Sequence, residues 1–132
     1  MKKILIVDDD RVTITLLQQI LAKSGFDVVT AKDGEEAYER AQEENPDLLI
    51  SDMLIPRVDG LELCKRVKED PFLSRTKVML MTGVYKGVTF KFEARDVGAD
   101  DFIEKPFDRD DLLHRVKLLI GEGQGTPESN PG

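Results

Sequence analysis

A single cysteine, Cys64, stands in the 132 residues, so no internal disulfide can form and a reducing compartment, the cytoplasm, is expected. Long apolar runs are missing too. None approaches the roughly 18 consecutive apolar residues that a bilayer crossing needs, so no membrane span is expected. At the N-terminus, Lys2-Lys3 is followed by only four apolar residues before Asp8, too few for the hydrophobic part of a secretory signal. Positive charge is scarce: 19 Lys and Arg against 26 Asp and Glu give a formal net charge of −7, which argues against direct nucleic acid binding. Lys86, Lys91 and Arg95 form a local exception. The one histidine, His114, lies beside Arg115 and reads as a solvated side chain with no phosphoryl-donor context. No internal repeat is present. What remains is a chain long enough to bury one core unaided.

Short apolar runs alternate with longer amphipathic segments. The pattern predicts strands over 3–8, 26–31, 48–52, 77–81 and 101–104, and helices over 11–24, 35–44, 60–69, 88–97 and 109–120. Val12, Leu16, Leu17, Ile20 and Leu21 recur at helical spacing, and Gly25 stops that helix. Asn45-Pro46, Asp70-Pro71 and Gly98 end the next three. Residues 1–120 therefore read as one domain. Residues 121–132, with four glycines, two prolines and no apolar run, read as a flexible tail or linker. Repeated strand–helix alternation, (βα)₅, implies a parallel sheet covered by helices on both faces, with right-handed crossovers. Such sheets bind ligands outside the carboxyl ends of their strands.

Acidic residues collect at those ends. Asp52 follows Leu48-Leu49-Ile50-Ser51, and Asp8-Asp9-Asp10 follows Ile4-Leu5-Ile6-Val7. If the two runs are neighbouring strands, three or four carboxylates meet at one rim. Carboxylates so crowded either retain protons or surround a divalent cation. A carboxylate beside Mg²⁺ can also act as a nucleophile, as in aspartyl-phosphate chemistry. Thr82 and Lys105 fall at or just after strand ends on the same rim.

Four segments in order, Ile4 to Asp10, Asp47 to Asp52 with Pro56 and Asp59-Gly60, Met81-Thr82-Gly83, and Gly98 to Phe107 around Lys105-Pro106, make the chain resemble the receiver domain of two-component response regulators over about residues 2–120. The resemblance implies a flavodoxin-like doubly wound sheet of strand order 2-1-3-4-5. It implies that Asp52 is the phosphoryl acceptor, that Asp9 ligates Mg²⁺ directly with Asp8 as acidic partner, and that Asp52 and the backbone carbonyl of Leu54 complete the metal set. Thr82 would hydrogen-bond the phosphoryl group and Lys105 would pair with it, the Lys105–Pro106 bond being cis in the family. Thr82 and Phe102 would form the switch, read out on the face of the fourth helix, fifth strand and fifth helix. The implied partners are a sensor histidine kinase or histidine phosphotransfer protein and, downstream, an effector or a C-terminal output domain; a homodimer through the switch face is compatible with the pattern. The implied role is a phosphorylation switch with slow autodephosphorylation, not a turnover enzyme.

Three features depart from the family. Phe102 stands where Tyr is common and cannot hydrogen-bond a carbonyl, so a buried bias is expected. Gly83 adds backbone freedom after Thr82. Residues 84–92, with Tyr85, Phe90 and Phe92, are aromatic and basic where acidic residues often begin the fourth helix, which predicts a distorted helix and an altered output surface. Plainer roles are expected elsewhere: Asp10 as a helix cap, Asp100 and Asp101 as turn and capping residues, Cys64 as packing. Competing functions are a haloacid-dehalogenase-type phosphatase with Asp8 as nucleophile, a pseudo-receiver that binds partners without phosphorylation, and an FMN-binding flavodoxin. The last lacks a hydroxyl- and glycine-rich loop after the first strand. The phosphatase reading leaves the Asp52 to Gly60 motif unexplained.

Overall fold

Each apolar run becomes a strand of one parallel sheet in the computed structural model, which describes residues 1–55, 57–83 and 95–121. The strands are β1 (Lys3–Val7), β2 (Asp27–Ala31), β3 (Leu48–Asp52), β4 (Lys77–Gly83) and β5 (Asp101–Lys105), in the expected order β2-β1-β3-β4-β5. Among the described residues the helices are α1 (Arg11–Lys23), α2 (Gly34–Glu44), α3 (Gly60–Glu69) and α4 (Arg109–Ile120), with a 3₁₀ turn at Pro71–Leu73. None of these is long and apolar enough to cross a membrane.

Strand side chains alternate between two apolar layers, because successive residues point to opposite faces of a sheet. Leu5, Val7, Leu49, Val78 and Leu80 pack with Ala37 and Ala41 of α2 and with Leu63, Cys64 and Val67 of α3. Ile4, Ile6, Leu48, Ile50, Met79 and Met81 pack with Leu17, Ile20 and Leu21 of α1 and with Leu112 and Val116 of α4. Central strands buried on both faces explain why β1, β3 and β4 read as unbroken apolar runs.

All four helices begin at the carboxyl rim, each with an aspartate cap. Asp10, Asp33, Asp59 and Asp108 accept the backbone N–H of Val12, Glu36, Glu62 and Asp111, respectively. Asp10 is thus the cap expected of it. The register sets the rim: Val7 lies opposite Ser51 and Ala31, Asp52 opposite Met81, and Gly83 opposite Lys105.

The structure corrects several boundaries. β1 stops at Val7, leaving Asp8 just outside it, while β4 and β5 extend far enough to include Thr82 and Lys105. Asp100 and Asp101 are not caps. One oxygen of Asp100 accepts both the Val78 N–H (2.8 Å) and the Lys68 ammonium (2.6 Å), and Asp101 pairs with Arg115 (2.8 Å). Long-range partners of this kind carry no local sequence signal. Of the helix expected over 88–97, Arg95 and Asp96 are helical, and Gly98 ends the segment at φ 88. Tyr85, Lys86, Phe90, Lys91, Phe92 and the expected tail beyond Gly121 lie outside the described residues. Cys64 is buried with its thiol pushed up to about 11 by burial, a packing residue as expected, and His114 is exposed.

Candidate functional site

Three carboxylates and an ammonium converge where β1, β3 and β5 end. Asp8, Asp9 and Asp52 each offer an oxygen within 4.8 Å of the others. Asp8 is fully buried. Its Oδ1 accepts the Asp10 N–H at 2.9 Å, and its Oδ2 accepts Lys105 Nζ at 3.0 Å. Burial pushes the Asp8 carboxyl above the usual carboxylate range, and the Asp10 N–H and Lys105 pull it only partly back. Asp9 is exposed at the rim.

Asp52 is bonded differently on its two oxygens. Oδ1 accepts the Leu54 N–H at 3.2 Å, and Oδ2 accepts Lys105 Nζ at 2.9 Å. Ser51, buried behind it, donates its hydroxyl to the Asp52 carbonyl at 2.9 Å. Lys105 thus bridges Asp8 and Asp52. Burial pulls its ammonium down, but the hydrogen bonds to Asp52 and Asp8 outweigh that, and its pKa is raised. The Lys105–Pro106 bond is cis.

Thr82 lies on β4, one residue past the partner of Asp52 in the register. Its hydroxyl is buried, and among the described residues it has no hydrogen-bond partner. A buried hydroxyl left unsatisfied costs about 1–3 kcal/mol, so it is a donor held at a cost. Phe102, on β5, is half-buried, less than the expected bias, and packs beside the layer of α2 and α3. Its carbonyl accepts Arg115 Nη1 at 3.3 Å. Leu54 is half-exposed, and its amide faces Asp52.

The donor set consists of hard carboxylate oxygens, which suit Mg²⁺ over softer, thiolate-preferring metals. Among the described residues, one ammonium for three carboxylates leaves negative charge for a divalent cation to balance. The Asp8 side chain has no exposed surface, whereas that of Asp52 keeps 12%, and the phosphatase alternative is not favoured.

Two glycines matter to this rim in ways that residue type alone does not reveal. A Cβ on Gly60 would lie 2.5 Å from the Asp52 carbonyl oxygen and 2.7 Å from Met53 Cα. A Cβ on Gly34 would lie 1.8 Å from the Val58 carbonyl oxygen. Both follow an aspartate cap, so the Asp-Gly dipeptides were the available signal.

A family model described as the response regulator receiver domain matches residues 4–117. The chain is 41% identical over 120 residues to the alkaline phosphatase synthesis transcriptional regulatory protein PhoP of Bacillus subtilis (strain 168), covering 90% of this chain and 48% of that protein. It therefore spans about half the length of such curated relatives. Among solved structures, the chemotaxis response regulator CheY4 of Vibrio cholerae is similar at TM-score 0.83 and 31% identity, covering 90% of this chain and 98% of that one. The signal receiver domain of a signal transduction histidine kinase from Syntrophus aciditrophicus is similar at TM-score 0.84 and 32% identity, covering 100% and 97%. The chain belongs to the receiver domains of two-component response regulators, signalling switches rather than turnover enzymes.

Proposed function

We propose that Asp52 is the phosphoryl acceptor and that the carboxylate rim holds the Mg²⁺ this transfer needs. The observation that carries the reading is Lys105, whose ammonium bridges Asp52 at 2.9 Å and Asp8 at 3.0 Å inside the acidic cluster. Such a cation already sits where a transferred phosphoryl group would place its charge.

Asp8, Asp9, Asp52 and the Leu54 carbonyl would hold Mg²⁺, which supplies charge neutralisation on the phosphoryl oxygens. The remaining work falls to the chain. An Asp52 oxygen attacks the phosphorus of a protein phosphohistidine, the N–P bond breaks, and its electron pair stays on the imidazole. The Leu54 N–H orients the attacking carboxylate. Lys105 exchanges a carboxylate partner for a phosphoryl oxygen and stabilises the loose transition state as a compact point charge. Thr82 gains the acceptor its hydroxyl lacks among the described residues. Its movement opens space toward which Phe102 turns, so the phosphoryl group selects one of two packings and the face formed by β5 and α4 reports it.

The partners that fit are a histidine kinase or phosphotransfer protein in the cytoplasm, and an effector or output domain downstream. A homodimer through the reporting face and slow loss of the phosphoryl group complete the reading. The formal charge of −7 supports a receiver that does not itself grip nucleic acid. Phosphoramidate with Mg²⁺ tests the core of this. Mass spectrometry should place a base-labile acyl phosphate on Asp52; modification of Asp8, or of neither, would overturn it.

A further inference from the structure

The segment from Asp52 to Gly60 carries the acceptor, the Leu54 amide and the start of α3. Two of its contacts run to a helix with no part in the chemistry. Gly34, the first residue of α2, has Val58 packed against it so closely that a Cβ would overlap the Val58 carbonyl oxygen at 1.8 Å and the Val58 Cβ at 2.6 Å. Beside it, Asp33 Oδ2 lies 3.5 Å from Arg57 Nε while its Oδ1 caps α2 through the Glu36 N–H. Arg57 itself holds φ 68, in the left-handed region that a non-glycine side chain rarely adopts. An exposed ion pair alone stabilises little. The close approach and the unusual backbone at consecutive residues point to a loop held in place rather than one resting there.

The opposite end is held as tightly. Met53 and Ile55 are buried in the layer of α2 and α3, and the Gly60 N–H donates to the Met53 carbonyl at 3.0 Å. With Met53, Ile55, Val58 and Gly60 all fixed, Leu54 has little freedom to move its N–H away from Asp52 Oδ1. The alignment of the attacking carboxylate therefore depends on contacts at the first turn of α2.

We infer that Gly34 and the Asp33–Arg57 pair are positioning residues for phosphoryl transfer: they clamp the acceptor loop to α2 and so aim Asp52 through the Leu54 amide. The inference rests on Asp52 being the acceptor.

Arg57→Gly is the discriminating variant. Glycine accepts the left-handed backbone without strain, so the fold is retained, but the side-chain tie to Asp33 is lost and the loop gains freedom. Rates with phosphoramidate at saturating Mg²⁺, normalised to folded protein, should fall on the order of tenfold, because small misplacements of reacting groups are costly. The Leu54 amide resonance should shift, and the melting temperature should stay within a few degrees of wild type. Asp33→Asn, which keeps the cap acceptor, should slow transfer similarly, and the double variant should be no slower than either single one. Gly34→Ala should slow transfer further. A wild-type rate and unmoved Leu54 resonance in Arg57→Gly would overturn the inference, as would a loss that merely tracks unfolding. Absence of an acyl phosphate on Asp52 in the wild type would instead overturn the acceptor assignment.

Discussion

Lys105 Nζ sits 2.9 Å from Asp52 Oδ2, joining residues 53 positions apart across the rim of the sheet. The same ammonium reaches Asp8, so one cation bridges two of three clustered carboxylates. Lys105→Met should destabilise the metal-free protein by about 1.5–3 kcal/mol, the usual worth of hydrogen bonds to charged groups. Urea unfolding measures this. Added Mg²⁺ should recover part of the loss by binding the native state, whereas phosphorylation should stay slow.

Thr82 offers a test with opposite signs in two states. Its hydroxyl is buried and, among the described residues, without a partner, so Thr82→Val removes an unsatisfied group at nearly constant shape. The unphosphorylated variant should be as stable as the wild type or more so. Its stabilisation by beryllofluoride with Mg²⁺ should be smaller, because the partner of the bound oxygen is gone. Paired thermal scans with and without beryllofluoride check both halves, and equal gains in the two proteins would refute the assigned role.

Gly60→Ala places a methyl 2.5 Å from the Asp52 carbonyl oxygen. The obstructing atoms are backbone, which cannot rotate away as a side chain could. A destabilisation of about 3 kcal/mol or more is expected, toward the upper end for overpacking. Chemical denaturation checks the size, and Mg²⁺ titration of the folded fraction should show weakened binding.

Asp70 predicts an acid-dependent loss of stability far from the site. It caps the 3₁₀ turn by accepting the Phe72 N–H at 2.9 Å, and it accepts the Tyr38 hydroxyl at 2.8 Å. These bonds, the Phe72 amide first, hold its carboxyl below the ordinary 3.8. A folded-state pKa below the unfolded one means the unfolded chain takes up the proton first as pH falls. The contribution is therefore complete above about 3.8 and fades as pH drops through the lower folded value. Asp70→Ala should be less stable than the wild type at pH 7, with the gap closing in strong acid. The same bond raises the Tyr38 phenol above 10.0, so its contribution should fade as pH rises through that higher folded value.

The strands and the rim were legible because each depends on a pattern the chain displays locally, whereas the order of the strands came from the family resemblance. Buried strands show as apolar runs, and ligands of such sheets gather at strand ends. Asp8, Asp52, Thr82 and Lys105 could be placed on one rim for that reason. Asp100 could not be read the same way: its partners, Val78 and Lys68, lie 22 and 32 positions away, and nothing in Ala99-Asp100-Asp101 distinguishes a tertiary ligand from a turn. Phe102 illustrates a different limit. Residue type indicated a buried preference, but its position on the edge strand β5 leaves it half-covered. The closeness of Gly34 to Val58 had only a weak signal, since glycine in Asp-Gly reads equally well as a simple helix start.

The alternation of strand side chains gives the molecule two separate hydrophobic compartments with a shared wall. Leu49 and Ile50 are adjacent in sequence, yet one abuts α2 and α3 and the other abuts α1 and α4. Trimming either side chain opens a void on one side only, and the backbone of β3 between them is the route by which the opposite compartment would feel it. Neighbouring codons of a single strand thus address different halves of the protein, so a series of alanine substitutions along β3 would sort by odd and even position rather than by distance from Asp52.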